Sequence, residues 1–275
     1  MRFFKLFFSS LLPVLMIAFS VFLSSCSDYN KLLKSSDYTK KYDMALKYYE
    51  QKDYSKALAL LEELVSVYRG TNKAEKIMYY YAYATYSSGD YLLAGYHFNN
   101  FVKTFPASDK TEECAFMYAY CFYLESPRYS LDQTDTRNAI KELQYFINKY
   151  PNSGKVKESN ELVDKLRGKL ELKSYEISKQ YFFLDDYKAA IVSFENVLKD
   201  FPDSKYREEI MFLIVKSNYY YATKSIQNKK AERFKATVDA YSKFASYYSQ
   251  DTKYGREAES YSTSAKNELV NFSKQ

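Results

Sequence analysis

One short phrase occurs three times in this chain, and its spacing limits the folds available to it. Asp53-Tyr54-Ser55-Lys56-Ala57 returns 37 residues later as Asp90-Tyr91-Leu92-Leu93-Ala94, and again as Asp186-Tyr187-Lys188-Ala189-Ala190. Apolar residues follow each alanine at the fourth and seventh places: Leu61 and Leu64, Phe98 and Phe101, Phe194 and Val197. Pro106 and Pro202 stand twelve places after the second and third alanines, each preceded by Phe. A fourth copy without the opening phrase reads Ala139, Leu143, Phe146 and Tyr150-Pro151. An alanine followed by apolar residues one and two turns on marks a helix face that crosses a neighbour closely, where a larger side chain would force the pair apart. Proline ends such a helix because it lacks an N–H and clashes with the preceding turn.

A helix-turn-helix unit recurring near every 34 residues is the tetratricopeptide pattern. The expected fold is therefore all-α, a right-handed superhelical solenoid of about five tetratricopeptide-like repeats with a C-terminal capping helix. The spacing predicts first helices near 38–51, 73–88, 110–125, 157–183 and 206–226. Second helices are predicted near 54–68, 91–104, 136–149, 187–200 and 231–248. The repeats run near 38–70, 73–108, 110–154, 157–204 and 206–250, and residues 255–272 read as the cap that covers the last apolar face. The repeat domain as a whole is expected over 37–275. Its 32 Tyr and 20 Phe would favour strands by propensity alone, but the periodicity and the presence of only six Gly and five Pro favour helix.

The N-terminus carries a separate signal. Arg2 and Lys5 precede a nearly unbroken apolar run over 6–22, closed by Leu23-Ser24-Ser25-Cys26. This order resembles a lipoprotein signal peptide (1–25), with Cys26 acylated as the first mature residue and 26–36 a lipidated tether. A membrane helix is the alternative, but about 17 apolar residues are at the short limit for spanning a bilayer, and Pro13 interrupts them. No later stretch is apolar enough to span, so the membrane is reached through lipid alone. Ser27 after the cysteine, in place of aspartate, agrees with sorting to the outer membrane in bacteria that use that rule, and the absence of a short acidic export signal over 26–30 favours an anchor facing the periplasm.

The chemistry expected of the chain is binding. Forty basic and 34 acidic residues, evenly mixed, do not suggest a nucleic-acid partner. With one histidine, His97, and no Cys/His cluster, neither a metal nor a cofactor is expected, and no catalytic constellation stands out. Cys114 and Cys121 lie about 10 Å apart along one helix, too far for a disulfide. Counting from the turns, the first helices direct Tyr42 and Tyr49, Tyr79, Tyr83 and Tyr86, and Phe116, Tyr120 and Tyr123 to the concave side. These rings are either inter-helix packing or a peptide-binding groove, since phenols combine apolar area with a polar tip. Repeat three holds an insertion over 126–136 with Pro127, Arg128, Asp132 and Asp135, where Asp135 or Thr136 is the expected N-cap of the next helix. Such an insertion is a tolerated loop or a partner contact.

The combination of the Cys26 lipobox, five repeats, the repeat-three insertion and the block from Tyr187 to Ser204 resembles the BamD family of outer-membrane β-barrel assembly lipoproteins. The resemblance implies a non-catalytic subunit that binds the periplasmic domains of a BamA-like β-barrel insertase and unfolded outer-membrane proteins. Some members place a basic residue at the position of Ser193 for the insertase contact, and serine cannot form that ion pair. A generic periplasmic scaffold lipoprotein is the alternative, expected to lack the insertion. A carbohydrate-capture lipoprotein is disfavoured by the absence of Trp and of room for a ligand domain.

Overall fold

The recurring aspartate starts a helix each time it appears. In the computed structural model, which describes residues 28–273, the carboxylates of Asp53, Asp90 and Asp186 accept the N–H three residues on, at 3.3, 3.0 and 3.2 Å. Asp37 does the same for Lys40 at 2.9 Å. Each satisfies one of the orphan donors of a helix N-terminus. The residue before the cap turns the chain through the left-handed region in three of these cases: Lys52 (φ 61°), Gly89 (φ 88°) and Asp185 (φ 62°).

The helices are α1 (28–34), α2 (Tyr38–Glu50), α3 (Tyr54–Val67), α4 (Ala74–Ser87), α5 (Tyr91–Thr104), α6 (Thr111–Glu125) and α7 (Thr134–Lys149). They continue as α8 (Val156–Phe183), α9 (Tyr187–Asp200), α10 (Arg207–Thr223), α11 (Gln227–Ala245) and α12 (Gly255–Phe272), with no strand among the described residues. The pairs α2/α3 to α10/α11 are five tetratricopeptide-like repeats, and α12 closes the series against α10 and α11. Helix α11 begins four residues before its expected start because its first turn, Gln227-Asn228-Lys229-Lys230, is polar and leaves no apolar trace. Two further departures are in repeat three. Helix α7 begins at Thr134, whose N–H is accepted by Asp132 at 2.8 Å, so neither Asp135 nor Thr136 is the cap. Thr136 is instead buried, with its hydroxyl 2.6 Å from that of Ser126.

The alanine register holds throughout. Ala57, Ala94, Ala139 and Ala190 are all 0% exposed, and the residues four and seven places on are buried with them. Burying each of these Leu, Val or Phe side chains contributes about 1.5–3 kcal/mol. A second recurrence follows each proline. Ser108, Ser153 and Ser204 donate to Glu75, Glu112 and Glu171 at 2.6, 2.5 and 2.5 Å. The same oxygens accept the N–H two residues on, from Lys110, Lys155 and Tyr206. A Pro-x-Ser turn thus ties the end of α5, α7 and α9 each to the first helix of its own repeat.

The described residues cluster into two compact units: those up to Ser126 with Asp135–Leu162, and Pro127–Thr134 with those from Val163 onward. The first unit is centred on Leu60, Leu61, Leu64, Ile77, Phe98 and Phe101. At its start, part of the segment expected as a tether is helical. Leu32 is buried, Tyr29 meets Tyr48 edge-on at 5.6 Å, and the fully buried Lys41 donates to the Leu33 carbonyl at 2.9 Å and pairs with Glu63. In the second unit α10 is apolar on nearly every side, with Ile210 to Val215 all buried between α9, α11 and α12.

Candidate functional site

The candidate tyrosines of the first helices are half-buried rings in the first unit, each packed on an aromatic neighbour. Tyr42 packs beside Tyr68 with the Lys73 ammonium 4.6 Å above its ring, and Tyr49 meets Tyr80 at 4.8 Å. Tyr79 and Tyr83 lie 4.7 Å apart and both donate to one carboxylate oxygen of Glu113 on α6, at 2.8 and 2.5 Å. Burial, and then the bond to Glu113, raises both phenols above their usual pKa of 10.0. Burial alone would raise Glu113, but the hydroxyls of Tyr83 and Tyr79 and the charge of Lys110 together hold it below its usual 4.5. These two hydroxyls therefore join repeat two to repeat three. Tyr86 packs on Tyr91 at 5.5 Å, and Phe116, Tyr120 and Tyr123 stack in sequence at 5.7 and 5.6 Å. Phe116 is buried against Phe146 and offers no open face, unlike the other seven. Tyr175 of the fourth repeat is likewise buried, stacked on Tyr206 at 4.2 Å.

The repeat-three insertion is a built surface in the second unit. Buried Gln133 holds it from inside, donating to the carbonyls of Arg128, Leu131 and Asp132 at 2.9, 3.0 and 3.2 Å. The Lys173 ammonium donates to the Leu131 carbonyl at 2.6 Å and ties the loop to α8. Of the residues expected to contact a partner, Pro127 is half-buried, Arg128 and Asp135 are exposed, and Asp132 is occupied in starting α7. The loop also exposes two large apolar side chains, Tyr129 and Leu131, which the sequence reading passed over. Two bulky apolar residues in a polar loop were the available signal. They continue onto α8 and the turn after it, where Ile177 is exposed and Phe183 and Leu184 are 73% and 69% exposed. Tyr129, Ile177, Phe183 and Leu184 border one groove, whose polar rim includes Lys173 and the Lys179–Glu176 pair. An exposed apolar patch with a polar rim is the usual form of a protein-docking surface. Ser193 is half-buried and hydrogen-bonded to buried Ser178 at 2.7 Å, so it is turned onto α8.

The remaining reactive side chains are quiet. Cys114 and Cys121 are free and buried, and burial pushes both thiols up to about 12. His97 is half-buried, 4.3 Å from the Tyr81 ring, and burial lowers its pKa. Among the described residues there is no group of side chains arranged to hold a metal, and no helix is long and apolar enough to cross a membrane. Cys26, the proposed lipidation site, lies outside the described residues.

The chain is similar in structure to the TPR domain of P58(IPK), at 14% identity and a TM-score of 0.40, over 90% of this chain and 69% of that one. It is also similar to the TPR2AB domain of yeast Sti1 in its pHSP90 complex, at 14% identity and a TM-score of 0.38, over 84% of this chain and 99% of that one. No curated protein sequence matches it. The model of the outer membrane lipoprotein family YfiO matches residues 34–234, from α1 through all of the first four repeats and into α11. The chain belongs to the YfiO family of outer membrane lipoproteins.

Proposed function

We propose that this lipoprotein is a non-catalytic subunit of the outer-membrane β-barrel assembly complex, anchored through acylated Cys26 and facing the periplasm. It docks on the periplasmic domains of the β-barrel insertase and receives unfolded outer-membrane proteins. The observation that carries this reading is the pinned, apolar insertion surface on a member of an outer membrane lipoprotein family. A scaffold needs a preformed surface, because ordering a loop on binding would cost part of the affinity. The surface formed by Tyr129, Leu131, Ile177, Phe183 and Leu184 takes the insertase. Client segments, with their alternating aromatic residues, lie along the open faces of Tyr42, Tyr49, Tyr86, Tyr120 and Tyr123. The neighbouring pair Tyr79 and Tyr83 contributes ring area there while its hydroxyls stay on Glu113.

Two experiments test the reading. Radiolabelled palmitate should enter the wild-type protein and not Cys26→Ala, and equal labelling of both removes the anchor. Phe183→Ser with Leu184→Ser should abolish co-purification of the insertase from detergent-solubilised membranes while circular dichroism stays unchanged. Full recovery of the insertase with this folded variant places its contact elsewhere.

A further inference from the structure

Between successive second helices, over the first helix that separates them, lies a slot that is closed between repeats one and two and open between repeats four and five. In the first unit it lies between α3 and α5, over α4. There Tyr81 of α4 and His97 of α5 stack at 4.3 Å, and burial first, then the charge of Glu62 on α3, raises the Tyr81 phenol. In the second unit the same slot lies between α9 and α11, over α10. Tyr81 is the eighth residue of α4, and the eighth residue of α10 is Ile214. Glu62 follows the capping Asp53 by nine places, as Glu195 follows Asp186. His97 follows the crossing Ala94 by three. In α11 the crossing residue is Thr237, 0% exposed, so the matching position is Ala240. The register of α11 is confirmed by its ring pair Phe244–Tyr248, at the same 5.3 Å as Phe101–Phe105 in α5.

Exchanging a tyrosine and a histidine for an isoleucine and an alanine removes the plug. What remains is a groove of about 460 Å³ with buried Met211 and Ile214 as its floor and Ile191 and Leu198 on one wall. The lining positions run 191, 195, 198 on α9, 211, 214, 218 on α10 and 236, 239, 240, 243 on α11. These are stripes of about two turns, roughly 10 Å long. Glu195 and Asp239 stand exposed on the rims, and among the described residues neither has an ion-pair partner. Lys243 lies one turn beyond Asp239.

We propose that this groove docks an amphipathic helix of a partner protein, with apolar side chains entering over Ile214 and a lysine or arginine held between Glu195 and Asp239. The walls are helices whose backbone groups are bonded internally, so the groove reads its occupant through side chains alone. A helix brings its own backbone bonds and loses none on entry. Two unpaired carboxylates select a basic residue at the groove's middle, and Lys243 favours an acidic residue one turn on. The inference stands independently of the assembly function proposed above.

The probe is a fluorescein-labelled, lactam-bridged helical peptide of 15 residues with Leu at its fifth, ninth and twelfth positions and Arg at its eighth. A companion carries Glu at the eighth position. The full lipidated chain in detergent should bind the Arg peptide saturably and the Glu peptide at least about tenfold more weakly. Ile214→Tyr with Ala240→His, which rebuilds the plug, should lower affinity for the Arg peptide by at least about tenfold. Glu195→Lys, at an exposed position that does not risk the fold, should reverse the preference between the peptides. Absence of saturable binding, or unchanged preference in Glu195→Lys, overturns the proposal. So does a dimer of the chain alone that dissociates in the plugged variant, because a second copy would then be the occupant.

Discussion

The first helices of unit one and the surface of α8 with its loop are both lined by large apolar rings, yet they use them differently. In unit one the phenols point into neighbours: Tyr79 and Tyr83 share Glu113, and Tyr49 leans on Tyr80. Around the insertion, Tyr129, Phe183 and Leu184 stand open while buried Gln133 and the rim residue Lys173 hold the backbone. Aromatic content alone therefore does not identify a binding surface. What separates the two is whether the ring's polar tip is already satisfied and whether its apolar face remains in water.

What both units share is the alanine crossing, and breaking it should have the largest effect. Ala94→Leu in the first unit and Ala190→Leu in the second should each destabilise by about 1–3 kcal/mol through overpacking. The two sites have no common partner, so the effects should add in urea melts of the double variant. Strongly unequal losses would mean that the crossings are not equivalent.

Next in size is the contrast between the ring sets. Tyr79→Phe with Tyr83→Phe keeps the rings and removes two hydrogen bonds to a partly exposed carboxylate, a loss of about 1–2 kcal/mol. Phe183→Ser with Leu184→Ser should change stability by less than about 0.5 kcal/mol, since both side chains are in solvent. The first loss should also depend on pH. Glu113 has a lowered pKa in the folded chain, so its contribution is complete above the usual carboxylate value of 4.5 and is lost as pH falls through its lower folded value. Tyr79 and Tyr83 have raised values, so their contribution is complete below 10.0 and declines as pH rises beyond it. The double Phe variant should therefore show a shallower acid limb and a shallower alkaline limb than wild type in urea melts at pH 3, 7 and 11.

The smallest effect is at the turns. Lys52 and Asp185 hold the left-handed conformation that Gly89 supplies in repeat two. Lys52→Gly should stabilise by about 0.5–1 kcal/mol by relieving that conformation. Asp185→Gly should gain less, because Asp185 also accepts from Lys224 at 2.8 Å and from Tyr187. Thermal melts of the two variants side by side would rank them.

Most of the fold was legible because it depends on periodicity. The alanines, their partners at the fourth and seventh places, and the prolines placed eight of the ten repeat helices to within about two residues of where they lie, a spread ordinary for helix ends, while α10 ends three residues before its expected end. Helix α11 escaped because its first turn is polar, and α1 because the anchor reading treated its residues as a tether. The insertion was visible as extra length, but not which of its side chains face out. Asp132 looked like a charged contact and is used at the start of α7, whereas Tyr129 and Leu131 carry the open surface. The Pro-x-Ser clasps were present at 106–108, 151–153 and 202–204, but a serine's partner 33 or 41 residues away has no local trace. The open slot at Ile214 and Ala240 became readable only when α11 was in register.

The claim at the centre of this account is that the client surface and the insertase surface differ in construction and lie in different units. Hydrogen–deuterium exchange of the full lipidated protein, measured with the insertase's periplasmic domains and separately with the C-terminal peptide of an outer-membrane barrel protein, tests it directly. The account predicts that the insertase slows exchange over residues 127–133 and 177–184 and leaves α2, α4 and α6 unchanged. The client peptide should slow α2, α4 and α6 and leave the loop unchanged. Protection of the same segments by both ligands, or client protection confined to the second unit, would contradict it.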